Sequence, residues 1–177
     1  IQLLVGIGNV VGRYPYFLAE ADRHHTNLFA VLVGETSKGR KGSSWGHVQR
    51  ILSELDPEWA AKCLKSGLSS GEGLIWSVRD PINNPMGEIE DIGVQDKRLL
   101  VTESEFASVL RVVQREGNTL SPVVRDVWDG RILNTLTKNK AATATGTHIS
   151  IIGHITKDEL GRYLSQTESA NGFGNRF

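Results

Sequence analysis

The sequence predicts an α/β domain in three layers, a mainly parallel sheet with helices on both faces, and three observations predict it. Residues 28–33, Leu-Phe-Ala-Val-Leu-Val, form a continuous apolar run, the pattern of a strand buried on both faces. That run breaks at Gly34 into a loop of glycine, hydroxyl and cationic residues that extends to Ser44. Val48, Ile51, Leu52 and Leu55 then recur at i, i+3, i+4 and i+7, one face of a helix that ends near Asp56-Pro57. Strand, glycine loop and amphipathic helix in direct succession make a phosphate cradle. Backbone N–H groups of such a loop converge on phosphate oxygens, the helix N-terminus adds partial positive charge, and a lysine adds a full one.

A chain of 177 residues suits one domain with a real core, and residues 1–177 are read as that domain. Lys+Arg and Asp+Glu both number 20, so any site for a polyanion must be local. A single cysteine, Cys63, rules out an internal disulfide framework and fits a cytoplasmic location. No apolar run approaches the roughly 18 residues that span a bilayer, so no membrane partner is expected. The opening on Ile1 and the stop at Phe177 suggest a fragment of a longer chain.

Residues 1–27 read as a helical lead-in. Gly6, Gly8 and Gly12 have the spacing of a dinucleotide fingerprint, but no strand precedes them, which favours a helix packed on the core. His24-His25 reads as a polar turn.

With 19 glycines, about two G-x-x-x-x-G pairs arise by accident, so the flanking strand and helix carry the loop's significance. Reading G-x-x-x-x-G-K-[ST] from Gly34 puts Arg40 where lysine belongs and Lys41 where the hydroxyl belongs. In an expanded loop, Lys41 reaches the β- and γ-phosphates and Ser43 or Ser44 ligates Mg²⁺. Arg40 is then a second phosphate contact or faces solvent. Gly34, Thr36, Ser37, Lys38, Gly39 and Gly42 complete the expected cradle. The alternative is a basic turn joining strand to helix.

Residues 58–68 read as more helix, and Ser69 with Glu72 matches a capping box. Capping explains Glu72; its functional alternative is a carboxylate that polarises an attacking water. Residues 80–97 read as a solvated loop on the rim of the site. Leu99 to Val101 form a short strand that ends in two acids, and Phe106, Val109, Leu110 and Val113 mark the next helix. Thr102 and Glu105 fit a second capping box, whereas Glu103 has no such role and is the better candidate for holding Mg²⁺ and its water.

Ser121-Pro122 reads as an N-cap and first-turn proline, with Val123, Val124, Val127 and Trp128 on the apolar side of the helix. Residues 132–137 alternate like an edge strand, with Lys138 and Lys140 at its turn. His148 to His154 reads as a buried strand, followed by Thr156 and Glu159 as a third capping box.

Three stretches, Val-Gly-Glu-Thr-Ser-Lys-Gly-Arg-Lys-Gly-Ser-Ser-Trp45, Ser-Ser-Gly-Glu-Gly-Leu-Ile75 and Leu-Val-Thr-Glu-Ser-Glu-Phe106, resemble a family of uncharacterised P-loop ATPase domains. These occur in phage, plasmid and mobile-element proteins, often joined to a primase-polymerase domain, and are similar to RecA-like replicative helicases. Leu-Ser-Pro-Val-Val-Arg-Asp-Val-Trp-Asp-Gly130, Thr-His-Ile-Ser-Ile-Ile-Gly-His-Ile-Thr156 and Asn-Gly-Phe-Gly-Asn-Arg-Phe177 add to the resemblance, which starts near residue 28. It implies a RecA-like core, ATP and Mg²⁺ as cofactors, hydrolysis coupled to movement on single-stranded DNA, and a homo-oligomeric ring. His154 is then the candidate γ-phosphate sensor, with a hydrogen-bonded core histidine as the alternative. Arg176 is the candidate arginine finger, with an ordinary surface arginine as the alternative. An ATP-gated assembly module and a DNA-binding accessory domain are the rival functions.

Overall fold

The computed structural model describes residues 1–35, 41–135, 141–164, 168–169 and 171–177, without the side chain of Lys41. The chain opens with α1 (Gln2–Val11), the strands β1 (Tyr16–Ala19) and β2 (Asp22–His25), then β3 (Phe29–Gly34), α2 (Lys41–Leu55), α3 (Pro57–Lys62) and β4 (Leu64–Lys65). It continues through α4 (Gly71–Trp76), β5 (Ile82–Asn83), β6 (Ile89–Asp91), β7 (Arg98–Glu103), α5 (Phe106–Val113) and α6 (Leu120–Trp128). β8 (Leu133–Asn134), β9 (Thr143–Ala144), β10 (His148–Thr156), α7 (Lys157–Tyr163) and a 3-10 turn at Gly174–Arg176 complete it.

Four strands form an all-parallel sheet in the order β3-β10-β7-β4. The other six pair as the two-stranded units β1–β2, β5–β6 and β8–β9. In the main sheet Gly153 stands beside both Val31 and Glu103, and Thr156 stands beside Gly34. β10 is thus inserted between the strand that leads into the glycine loop and the strand that ends in acids.

Side chains alternate between the two faces of a strand, and the core divides accordingly. Leu99, Val101, Ile149 and Ile151 pack with α4, α5, α6 and Phe173 on one side. Leu100 and Ile152 pack with Val5, Leu52 and Trp59 of α1, α2 and α3 on the other. Both faces of β7 and β10 are therefore covered, which is why their sequences are nearly continuous apolar runs. Gly153 permits a close approach: a Cβ there would lie 2.5 Å from Cδ2 of Phe106. Asn9, fully buried, clamps α1 to the sheet. Its amide donates to the carbonyls of Leu99 (3.0 Å) and His148 (3.1 Å) and to Ser150 Oγ (3.2 Å), while its oxygen accepts from Trp59 Nε1 (2.9 Å).

Several local expectations are corrected. The helical lead-in stops at Val11, and residues 16–25 form a hairpin that includes both His24 and His25. The helix expected over 58–68 ends at Lys62, because Leu64 and Lys65 pair with Leu100 and Val101 as an edge strand. Thr156 and Glu159 form the capping box as expected. Ser69 does not cap: Ser70 accepts from the Gly73 N–H instead. Thr102 stays within β7, and Glu105 occupies the N-cap position of α5 without a side-chain cap bond. Ser121 lies inside α6, where it donates to Glu168 (2.6 Å). Residues 80–97 hold a small hairpin whose Asp80 pairs with Lys97 (2.7 Å), just before β7 starts, so they flank the amino end of the sheet and not the loop end. Lys138 and Lys140 lie outside the described residues. Among the described residues no helix is long and apolar enough to cross a membrane.

Candidate functional site

The candidate site is assembled at the carboxyl ends of β3, β10 and β7, the edge at which open parallel sheets bind ligands. β3 delivers Gly34 at the carboxyl edge, and the 15-residue helix α2 begins at Lys41, so the amino end of a helix follows the strand across the glycine segment. Thr36, Ser37, Lys38, Gly39, Arg40 and the side chain of Lys41 lie outside the described residues, and of Gly42 only the helical backbone is described. Ser43 and Ser44 fall in the first turn of α2, with Ser43 exposed.

A polar bridge joins three elements here. Ser44 Oγ donates to Gln2 Oε1 (3.0 Å), and Gln2 Nε2 contacts His154 Nε2 at 2.8 Å. An amide nitrogen can only donate, so in this arrangement Nε2 of His154 accepts and the imidazole proton resides on Nδ1. His154, 7% exposed, is thereby tied through α1 to the start of α2.

Glu103 closes the other side. Its Oε1 accepts from the backbone N–H groups of Gly67 and Leu68, both at 2.7 Å, and the residue is 9% exposed. Gly67 has φ +91°, a left-handed conformation suited to glycine, which turns its N–H onto the carboxylate. Glu103 thus anchors the segment after β4 to the end of β7. Interstrand spacing of ~4.8 Å puts Glu103 and β3 roughly 10 Å apart across β10.

The remaining expected residues are engaged elsewhere. Glu105 lends its main-chain oxygen to the Ser108 N–H (2.9 Å) and hydroxyl (2.8 Å). Glu72 accepts from Thr119 Oγ1 (2.8 Å) at the start of α6. Arg176 donates to Asp129 (3.2 Å) and to the Gly172 carbonyl (3.0 Å). Asp129 lines a cavity shared with Arg98 and His148, the first residues of β7 and β10, so this pair belongs to the opposite end of the sheet. The structure therefore gathers Gly34, Ser43, Ser44 and His154 on the α1 and α2 side of the sheet's carboxyl edge; Glu103, in step with Leu99 and Val101, faces the opposite side at the end of β7, and Glu72 and Arg176 have partners of their own.

Neither a family model nor a curated protein matches the chain. What the arrangement can do must be judged from its chemistry. Among the described residues no three acidic, histidine or cysteine side chains gather to hold a metal on their own. Mg²⁺ keeps several waters and takes its other ligands from phosphate oxygens, and the hydroxyl of Ser43 in the first turn of α2 suits it; Glu103 stands two strands from β3 and already accepts two backbone N–H bonds. Burial, with Asp96 adding to it, pushes the Cys63 thiol up to about 12, so no thiolate nucleophile exists at neutral pH.

Gln2 is the component the sequence reading missed. The available signal was a lone amide opening an apolar helix, where burial demands a hydrogen-bonding partner.

Proposed function

We propose that the chain is an ATP-binding and ATP-hydrolysing domain of RecA-like P-loop type, belonging to a replication or helicase motor that acts on single-stranded DNA, working as a ring. One observation carries this reading: β3 and α2, which flank the glycine segment, meet at the carboxyl edge of a parallel sheet, with a polar-ended strand between β3 and a strand-end glutamate. The cradle of residues 34–42 binds the phosphates, with Lys41, or Arg40 in its place, neutralising their charge. Ser43 is the better placed hydroxyl for Mg²⁺, because Ser44 already donates to Gln2. Glu103 would hold the metal directly or through a water, and a bound Mg²⁺ would supply charge neutralisation for the transferred phosphoryl group. His154 senses the γ-phosphate and relays its position through Gln2 to α2. Glu72 or Glu105 orients the attacking water. Arg176 serves a neighbouring subunit as an arginine finger once released from Asp129.

Purified protein is expected to bind ATP and to release phosphate faster when single-stranded DNA is added, and Lys41→Ala to abolish both. Absence of both activities in the unsubstituted protein, or a Lys41→Ala variant with both intact, refutes the reading; Arg40→Ala run in parallel decides which cation faces the phosphates. A second reading, an ATP-gated assembly switch, draws support from Glu103 and Glu72 both accepting protein hydrogen bonds. It expects tight ATP binding with almost no turnover even with DNA present.

A further inference from the structure

A cavity of about 820 Å³ opens at the amino end of the sheet, opposite the candidate nucleotide site. Its walls are the turn after α1, the β1–β2 hairpin and the starts of β7 and β10. Four cations line it. Lys97 is paired with Asp80, and Arg98 with Asp96 and Asp56. The lining acid Asp129 is paired with Arg131 and Arg176. Arg13 and Arg23, by contrast, have no carboxylate partner among the described residues. Arg13 donates to the carbonyls of Thr147 (2.8 Å) and Gly130 (3.3 Å), and Arg23 sits 4.9 Å over the Tyr16 ring. Carbonyls and a ring face leave both positive charges unneutralised. The field is felt by the neighbours: burial first, then the charge of Arg13 and Arg23, lowers the proton affinity of His25. His25 and His148 each bury an Nδ1 without a hydrogen-bond partner, and His148 is itself 1% exposed in the cavity wall.

Aromatic rings border this charge. Tyr14 is 96% and Phe17 73% exposed. β1 and β2 pair only with each other, so the hairpin shows solvent both faces: Tyr16, Leu18, Arg23 and His25 on the cavity side, Phe17 and His24 on the other. Uncompensated guanidinium groups beside free aromatic faces are the two components of a single-strand binder, the first for phosphates and the second for unstacked bases.

We propose that the cavity and its hairpin are a seat for single-stranded nucleic acid, with Arg13 and Arg23 on phosphodiester oxygens and Tyr14 stacking on a base. The choice of polymer rests on the motor reading above, whereas the seat rests on its own residues. Bases paired in a duplex hide the faces this ring needs, and an acidic peptide has none to offer.

The test is fluorescence anisotropy of an end-labelled oligothymidylate of about 20 nucleotides, titrated with the whole chain across a range of salt. Arg23→Ala is expected to weaken binding about tenfold at low salt and to flatten the salt slope by about 0.7. Tyr14→Ala is expected to weaken it about tenfold with the slope unchanged. Both side chains are exposed, and a thermal melt on each variant checks the fold. Unchanged binding in these variants, no binding by the unsubstituted chain, equal affinity for a duplex, or equal competition by polyglutamate each overturns the seat. ATP affinity measured on the same samples separates the two sites: failure of the oligonucleotide results with ATP bound overturns the seat alone, and success without ATP affinity upholds it while removing the nucleotide site.

Discussion

Replacing Glu103 isolates the carboxylate that anchors the segment after β4. Oε1 accepts two N–H bonds of 2.7 Å at a position 9% exposed, and each bond to a charged acceptor contributes about 1.5–3 kcal/mol. Glu103→Ala leaves both amides without their acceptor and is expected to destabilise the fold by about 4 kcal/mol. Glu103→Gln retains an oxygen in the same place and loses the charge; since neutral bonds are roughly half as strong, its cost is about 2 kcal/mol. In a chain of 177 residues these correspond to melting temperatures lower by roughly 8–16 °C and 4–8 °C. Urea unfolding gives the free energies, and the melts check their order. Gly67→Ala is the companion variant: φ is +91° and nothing lies within 4 Å of the added Cβ, so its cost of about 1 kcal/mol is conformational. A Glu103→Ala protein with the unsubstituted midpoint refutes the anchoring role. Phosphate release then tests the separate metal role: a Glu103→Gln protein that is folded yet inactive supports both.

Three further outcomes follow from the packing. His148 donates from Nε2 to the Gly8 carbonyl (2.9 Å), and burial presses its pKa from 6.5 to about 4. The unfolded chain therefore binds the extra proton first, so stability is full above pH 6.5 and falls by about 3 kcal/mol as pH drops to 4. Urea midpoints between pH 7.5 and 4 should show this slope, and His148→Gln should flatten it. Gly153→Ala drives a Cβ to 2.5 Å from the Phe106 ring on the central strand and should cost about 2 kcal/mol in chemical unfolding. Asn9→Ala strips hydrogen bonds from Leu99, His148, Ser150 and Trp59 together, and an equilibrium melt should register a loss of about 3 kcal/mol.

The elements legible in the sequence are those whose periodicity is local. β3, β10, α2 and α5 announce themselves because apolar residues repeat within a few positions, and the Thr156–Glu159 box because both partners lie in one turn. β4 is two residues long and exists only through its register with β7, which no local pattern encodes. The Ser69 and Thr102 boxes failed because a four-residue spacing does not determine which residue breaks the helix. In the candidate site, Gly34, Ser43, Ser44, Glu103 and His154 were expected from strand ends and the loop. Gln2 was not, because its partner His154 lies 152 residues away. The amino-end cavity had no sequence signal either: its cations come from three separate stretches, and only the tertiary fold shows which of them lack counter-ions.

α1 touches both ends of the sheet. Gln2 meets His154 and Ser44 at the carboxyl edge, and Arg13, two residues past the helix, holds Thr147 and Gly130 at the amino edge. Ten helical residues span ~15 Å, so one stiff rod is a structural part of the candidate nucleotide site at one tip and of the basic cavity at the other. Deleting the rod damages both at once. The two sites can be dissected only by single substitutions at its tips, and a shortened chain beginning after Val11 would report the loss of either as the loss of the other.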